Sequence, residues 1–247
     1  LDKNTALSPS VILIPLLSVL AIWVGYWVQI RFWIDQFEWG ILPRTFLGLR
    51  GIFCSPFIHG SLEHLWNNSI PLFVLLMALR FFYRSISSQV IWIGFFVTGL
   101  VTWFIGRESY HIGASGFIYF LVSFLFFKGI QTKHYRLVAL SLSIVMFYGG
   151  MIWYIFPNVK DGMSWEGHLA GFLVGFFTTF AFPMKEYQKV PVYDWEKPDF
   201  NPELDPFMQH FDENGNFKPK PKPEEEIASY FTTSIKVLYD YVKKEKD

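Results

Sequence analysis

The sequence predicts an all-α polytopic membrane protein: a bundle of six transmembrane helices with an interfacial loop after the first helix. Three observations carry that class. Of 247 residues, 52% are hydrophobic and 20% aromatic while 17% are charged, too apolar a mixture for a water-soluble domain. The apolar residues gather into runs long enough to cross a hydrocarbon layer about 30 Å thick. Their length, near twenty residues rather than ten, suits helices, which satisfy every backbone group within the segment.

The first run covers residues 9–30, with Pro15 placed to bend it. It lacks the short apolar stretch and cleavage pattern of a removable signal peptide and is expected to stay in the membrane. Residues 31–56 mix Trp33, Trp39, Phe46 and Phe53 with Arg31, Asp35, Glu38, Arg44 and Arg50. Aromatic rings among charges suit a segment lying at headgroup depth. Further spans are expected at residues 62–82, 89–105, 115–129, 136–156 and 165–180. No internal repeat suggests a transporter of duplicated halves.

The formal net charge of zero conceals two unlike parts. Residues 1–183, the expected membrane domain, hold eleven Lys and Arg against seven Asp and Glu, net +4. Residues 184–247 hold ten against fourteen, net −4, and with Pro183 eight of the fourteen prolines. That composition predicts an irregular tail. Within it Ile227, Tyr230, Phe231, Ile235, Leu238 and Val242 recur at helical spacing after Glu224, Glu225 and Glu226, predicting a short amphipathic helix. Lys3, Arg80, Arg84, Lys128, Lys133, Arg136, Lys185 and Lys189 fall on one side of the spans, and Arg31, Arg44, Arg50, Arg107 and Lys160 on the other. The richer side is expected to be cytoplasmic, which places both termini inside. A lone cysteine, Cys54, permits no intramolecular disulfide or Cys-rich metal site and reads as a packing residue. No nucleic-acid partner is expected, and the oligomeric state is left open.

Polar residues inside apolar runs are costly and so point to a partner or a task. Ser115 lies in Gly113-Ala114-Ser115-Gly116 at the start of the fourth run. The glycines permit close approach of backbone, and the helix N-terminus supplies unpaired N–H groups. His64 and Asn68, four residues apart, share one helix face of the second span. His168 borders a stripe of Gly167, Gly171 and Gly175 in the sixth, at a depth matching Ser115. Each piece alone is also consistent with helix packing through small residues or an interhelical hydrogen bond.

Together these pieces resemble the rhomboid intramembrane serine proteases over residues 40–183. They are His-Gly-Ser-Leu-Glu-His-Leu-Trp-Asn-Asn at 59–68, Gly-Ala-Ser-Gly at 113–116 with Tyr119 one turn on, and Gly-His-Leu-Ala-Gly-Phe-Leu-Val-Gly at 167–175. The resemblance implies a rhomboid-like bundle with Ser115 as nucleophile and His168 as general base. It implies an oxyanion hole from His64, Asn68 and the Ser115 N–H, and Tyr119 packed beside the imidazole, with Gly113 and Gly171 in support. It also implies a small residue before the cut. Where the family often carries Trp-Arg ahead of the first His, this chain has Gly48-Leu49-Arg50-Gly51, and Arg50 is given no catalytic role.

The chemistry has its own logic. Serine needs a base, and imidazole suits that near neutral pH. With Glu166 read as lying at the mouth, no carboxylate is expected beside His168, leaving a dyad slower than a triad. Hydrolysis needs a wet cavity, with the fifth span and residues 157–164 after it as its lid. Phe147, Tyr148, Trp153, Tyr154 and Phe156 form either a side gate or lipid-facing bulk. The expected partners are the bilayer and transmembrane segments of other proteins, unwound near their extracytoplasmic end, in a prokaryotic inner membrane. No cofactor is expected. Two alternatives stand: an inactive rhomboid-like protein that binds membrane clients, although such proteins typically lack Ser or His of the dyad, and a metal site of His59, His64 and His168. Against the latter, the spacing matches no usual zinc-protease motif.

Overall fold

The computed structural model describes residues 8–35, 38–160, 162–182 and 193–218. Among these, regular structure is helical, with only two isolated bridges, Ile41 with His111 and Phe211 with Phe217. The long helices are α1 (Ser10–Arg31), α2 (Leu62–Phe82), α3 (Ser87–Ile105), α4 (Ser115–Thr132), α5 (Tyr135–Tyr148) and α6 (Trp165–Ala181). Five are long and apolar enough to cross a bilayer: α1 to α4, and α5 counted with its continuation as Tyr135–Ile155. The chain is an all-α polytopic membrane protein. Helix α6 is apolar but has 17 residues, shorter than the others so counted.

The ends of the helices follow local chemistry. Ser61 caps α2, its hydroxyl accepting from the His64 N–H at 3.1 Å. Helix α4 continues past Gly129 and stops at Lys133, which takes the left-handed conformation with φ 55°. The fifth expected span, 136–156, is not one α-helix: the chain tightens after Tyr148 into a 3₁₀ helix over Gly149–Ile155. Residues 38–57 are largely irregular, with short helical turns over Leu47–Arg50, Gly51–Cys54 and Ser55–Phe57. They dock on the end of α3, where Trp103 Nε1 donates to the Thr45 carbonyl at 2.9 Å and Arg44 donates to the Gly106 carbonyl at 2.6 Å. The Arg50 guanidinium bonds the Glu38 carbonyl and lies over the Trp39 ring.

Helix α4 is the axis, packing against α2, α3, α5 and α6. Its buried Ile118, Phe120, Leu121, Phe124 and Leu125 meet Leu72, Leu75, Leu76 and Leu79 of α2 and Val174 of α6. Phe120 fits because α3 offers only Gly94 there: a Cβ at Gly94 would lie 2.2 Å from the ring. Helix α1 joins α2 through Trp23 Nε1, which donates to Ser69 Oγ at 2.9 Å. Lys128, counted from the sequence among the cytoplasmic charges, is 3% exposed and donates to the Thr179 carbonyl at 2.8 Å and to Gln131 at 2.7 Å. It satisfies a carbonyl near the end of α6 that has no later helical N–H to meet.

The chain divides into compact units at Leu1–Val190 and Pro191–Asp247. In the second, residues 193–218 hold short 3₁₀ turns and a tight turn in which Asp212 accepts from the N–H groups of Asn214 and Asn216. The amphipathic helix expected over residues 227–242 lies outside the described residues.

Candidate active site

Three helix starts meet at one end of the bundle: α2 with His64 and Asn68, α4 with Ser115, and α6 with His168. What allows α4 and α6 to meet so closely is the lack of side chains between them. A Cβ at Gly171 would lie 2.0 Å from the Gly116 carbonyl oxygen, and one at Gly175 would lie 2.5 Å from that of Phe120. Backbone therefore rests on backbone, and the seam is tied by Ser123 Oγ, which donates to the Phe172 carbonyl at 2.7 Å.

That approach puts His168 Nε2 2.9 Å from Ser115 Oγ. The other ring nitrogen, Nδ1, lies 3.0 Å from the Tyr154 carbonyl oxygen. A carbonyl only accepts, so in the neutral imidazole Nδ1 carries the proton and Nε2 offers its lone pair to the Ser115 hydroxyl. The Tyr119 ring stacks on the imidazole, with centroids 4.2 Å apart and planes 9° from parallel. The Tyr119 hydroxyl donates to the Met151 carbonyl at 2.8 Å.

His64 and Asn68 face Ser115 across a cavity of about 520 Å³, which His168, Tyr119 and Tyr154 also line. Asn68 is 5% exposed, yet its amide nitrogen has no protein partner. A buried donor left unpaired is costly, and Asn68 is among the residues that line the cavity. Ser115 opens α4, so its backbone N–H has no intrahelical acceptor, and the residue lines the same cavity. Gly113 stands between these groups with φ 97°, and a Cβ there would lie 2.7 Å from His64 Cε1. A side chain is thus excluded both by backbone conformation and by the imidazole. The structure thereby brings together Ser115, His168, His64, Asn68, Tyr119 and Gly113, with Gly171 in the seam beneath.

The Rhomboid domain family matches residues 48–185 of this chain. The chain belongs to the rhomboid family. An uncharacterized protein of Mycobacterium bovis is 35% identical over 147 residues, 55% of this chain and 60% of that relative. One of Mycobacterium tuberculosis gives the same figures. One of Mycobacterium leprae is 33% identical over 138 residues, 51% of this chain and 53% of its own length. The matched region thus spans no more than 60% of these relatives.

Around this rhomboid site lie groups that sequence reasoning missed. Glu166, read from the sequence as lying at the mouth, is 2% exposed. Its carboxylate accepts from the Arg107 backbone N–H and guanidinium at 3.3 Å, so it fastens the loop before α4 to the start of α6. His111 lies beside it, Nδ1 against Ser164 Oγ and Nε2 against the Arg107 carbonyl. Burial lowers the His111 pKa, opposed by that carbonyl. A second, smaller cavity of about 40 Å³ lies behind Ser115, lined by Ser55, Thr98, Thr102, His111 and Ser164. Its volume and polar walls suit a water molecule. His59 is fully buried, with neither ring nitrogen bonded, edge-on to His64 at 5.0 Å. Burial, aided by the His64 charge, pushes its pKa down to about 4. The Tyr154 carbonyl had no sequence signal, because any residue can supply a backbone acceptor.

Proposed function

We propose that the chain is an intramembrane serine endopeptidase that cuts transmembrane segments of other proteins. The observation that carries this reading is Ser115 Oγ within 2.9 Å of His168 Nε2 on the wall of a cavity that His64, Asn67 and Asn68 also line. His168 takes the Ser115 proton as Oγ attacks a peptide carbonyl carbon, forming a tetrahedral oxyanion. In this reading that oxyanion accepts hydrogen bonds from the Asn68 amide, His64 and the Ser115 N–H; one such donor is worth about 3 kcal/mol in a sheltered site. As the intermediate collapses, the C–N bond breaks and His168 returns the proton to the departing amine. Water, activated by the same imidazole, then hydrolyses the acyl-serine. Gly113 and Gly171 keep the groups in register, and Tyr119 fixes the plane of the imidazole.

In this reading α6 is a sixth span, residues 31–56 lie in the membrane interface, and both termini of the 1–183 domain face the cytoplasm. The cavity then opens outward, as the positive charges favour. A helical segment shields its carbonyls, so the peptide reaches Ser115 extended, near an end weakened by Gly, Pro or polar residues. A prokaryotic plasma membrane accords with the bacterial relatives.

The test compares the protein with Ser115→Ala and His168→Ala on a reporter carrying such a segment. Both variants are expected to lose cleavage, and a fluorophosphonate is expected to label Ser115 and no other serine. Undiminished cleavage by both variants would overturn the proposal. Retained binding of a membrane client without labelling would point to the inactive, client-binding alternative.

A further inference from the structure

Among the described residues, the partner of His168 Nδ1 is not a carboxylate but the backbone carbonyl of residue 154, on a segment of unusual form. After Tyr148 the α-helix gives way to seven residues of 3₁₀ helix, Gly149–Ile155. Such runs are seldom longer than three or four residues and often mark hinges when they interrupt a helix. Two carbonyls of this segment hold the two stacked rings: Met151 accepts from Tyr119 at 2.8 Å and Tyr154 from His168 at 3.0 Å. Moving the segment therefore releases both rings at once.

The glycines that begin it have no steric reason to be glycine. Gly149 has φ −59° and ψ −31°, ordinary helical values. A Cβ there would meet its nearest atom at 3.4 Å, and at Gly150 it would meet nothing within 4 Å. Alanine fits both places, so glycine only adds backbone freedom and the entropy cost of ordering it. An apolar cavity of about 230 Å³, lined by Val122, Phe126, Ile144, Tyr148 and Ile152, adjoins the segment and leaves it room to shift.

We propose that Gly149–Ile155 is the positioning element of the Ser115–His168 pair. The Tyr154 carbonyl holds the imidazole where a triad would place a carboxylate, and Gly149–Gly150 allows that hold to be released and remade as a peptide enters the cavity. This rests on reading Ser115 and His168 as nucleophile and base. Because the carbonyl is neutral, it fixes tautomer and ring plane but contributes less than a carboxylate to a developing imidazolium.

The test uses the full chain in liposomes. Replacing Ile155 by its α-hydroxy analogue turns the 154–155 amide into an ester, weakening the Tyr154 carbonyl as an acceptor and leaving every side chain intact. The same replacement at Phe156, just outside the segment, is the control, removing an amide N–H in the same way but weakening the carbonyl of residue 155. The Ile155 ester is expected to lower kcat about 3- to 10-fold, the worth of one hydrogen bond, with KM unchanged. The control is expected to stay within about twofold. A Gly149→Ala/Gly150→Ala double variant, held in the closed form, is expected to label faster with fluorophosphonate yet cleave a membrane-embedded reporter more slowly. Equal kcat for the two esters, or slower labelling of the double variant, would overturn the proposal. Absence of labelling in the unaltered protein would instead remove the nucleophile assignment, and the positioning role with it.

Discussion

His168 is held from two sides that differ in kind. On one side, α6 lies against α4 along Gly171 and Gly175, where the space is too small for even a methyl group. On the other, the Gly149–Ile155 segment touches the imidazole through one carbonyl, starts at glycines with open space around them, and turns Trp153 outward. Glycine thus serves opposite ends within one site. In the seam its missing side chain brings backbones together and fixes a distance; in the segment its backbone freedom lets a contact be broken. The distance between Ser115 and His168 belongs to the rigid side, and the orientation of the ring to the yielding side.

The largest effect should come from wedging the rigid side. Gly171→Val places branched carbons where the Gly116 carbonyl already lies, and backbone cannot move aside as a flexible side chain can. Overpacking of this kind costs about 1–3 kcal/mol or more, and a displacement near 1 Å costs about a hundredfold in rate. The expected outcome is a lower unfolding midpoint and loss of fluorophosphonate labelling at Ser115. Labelling at the normal rate would show that the seam does not set the distance.

Next comes the floor beneath His64. Buried His59 resists protonation until the pH nears 4, whereas in the unfolded chain it takes up a proton near 6.5. Between these values the unfolded state binds more protons, so stability is complete above pH 6.5 and falls as pH drops toward 4, by up to about 3 kcal/mol. His59→Phe keeps a ring in place and should flatten this slope in unfolding midpoints measured from pH 7 to 4.5. Any slope left belongs to groups such as His111, whose pKa burial also lowers. An unchanged slope would mean that His59 is not the group that sets the loss of stability in acid.

A smaller effect is expected where the yielding side grips Tyr119. Tyr119→Phe keeps the ring over His168 and removes only the hydrogen bond to the Met151 carbonyl, a loss of about 1 kcal/mol. Cleavage should slow about fivefold. A loss as large as that of Gly171→Val would erase the distinction between the two sides.

This contrast was only half legible in the sequence. Apolar runs announce helices because a bilayer demands length and composition, and the bounds of α2 and α4 can be read to within a few residues. The break after Tyr148 hides inside such a run: composition does not register the change from α to 3₁₀ hydrogen bonding, and Gly149–Gly150 looks like any small pair in a span. Likewise, Ser115, His64 and His168 stand out as costly polar groups in hydrocarbon, while the carbonyls of Met151 and Tyr154 have no letter of their own. Glu166 misled for a related reason. Charge near the end of a run reads as solvent-facing unless the partner is known, and Arg107 comes from a distant part of the chain.

The smallest effect concerns the outward face of the yielding side. Met146 is 80% exposed and Phe147 74%, values that in water would mark a docking surface. Within a span they meet lipid tails as apolar as themselves, so truncation removes no burial that lipid does not restore. Met146→Ala and Phe147→Ala should shift unfolding by less than about 0.5 kcal/mol and leave labelling of Ser115 unaltered. Cleavage of a membrane-embedded reporter separates the two roles the sequence left open for Phe147. Rates near the unaltered value make it lipid-facing bulk. A large fall with normal labelling makes it part of the path by which a transmembrane segment reaches the cavity, and extends the yielding side from the carbonyl at residue 154 back into α5.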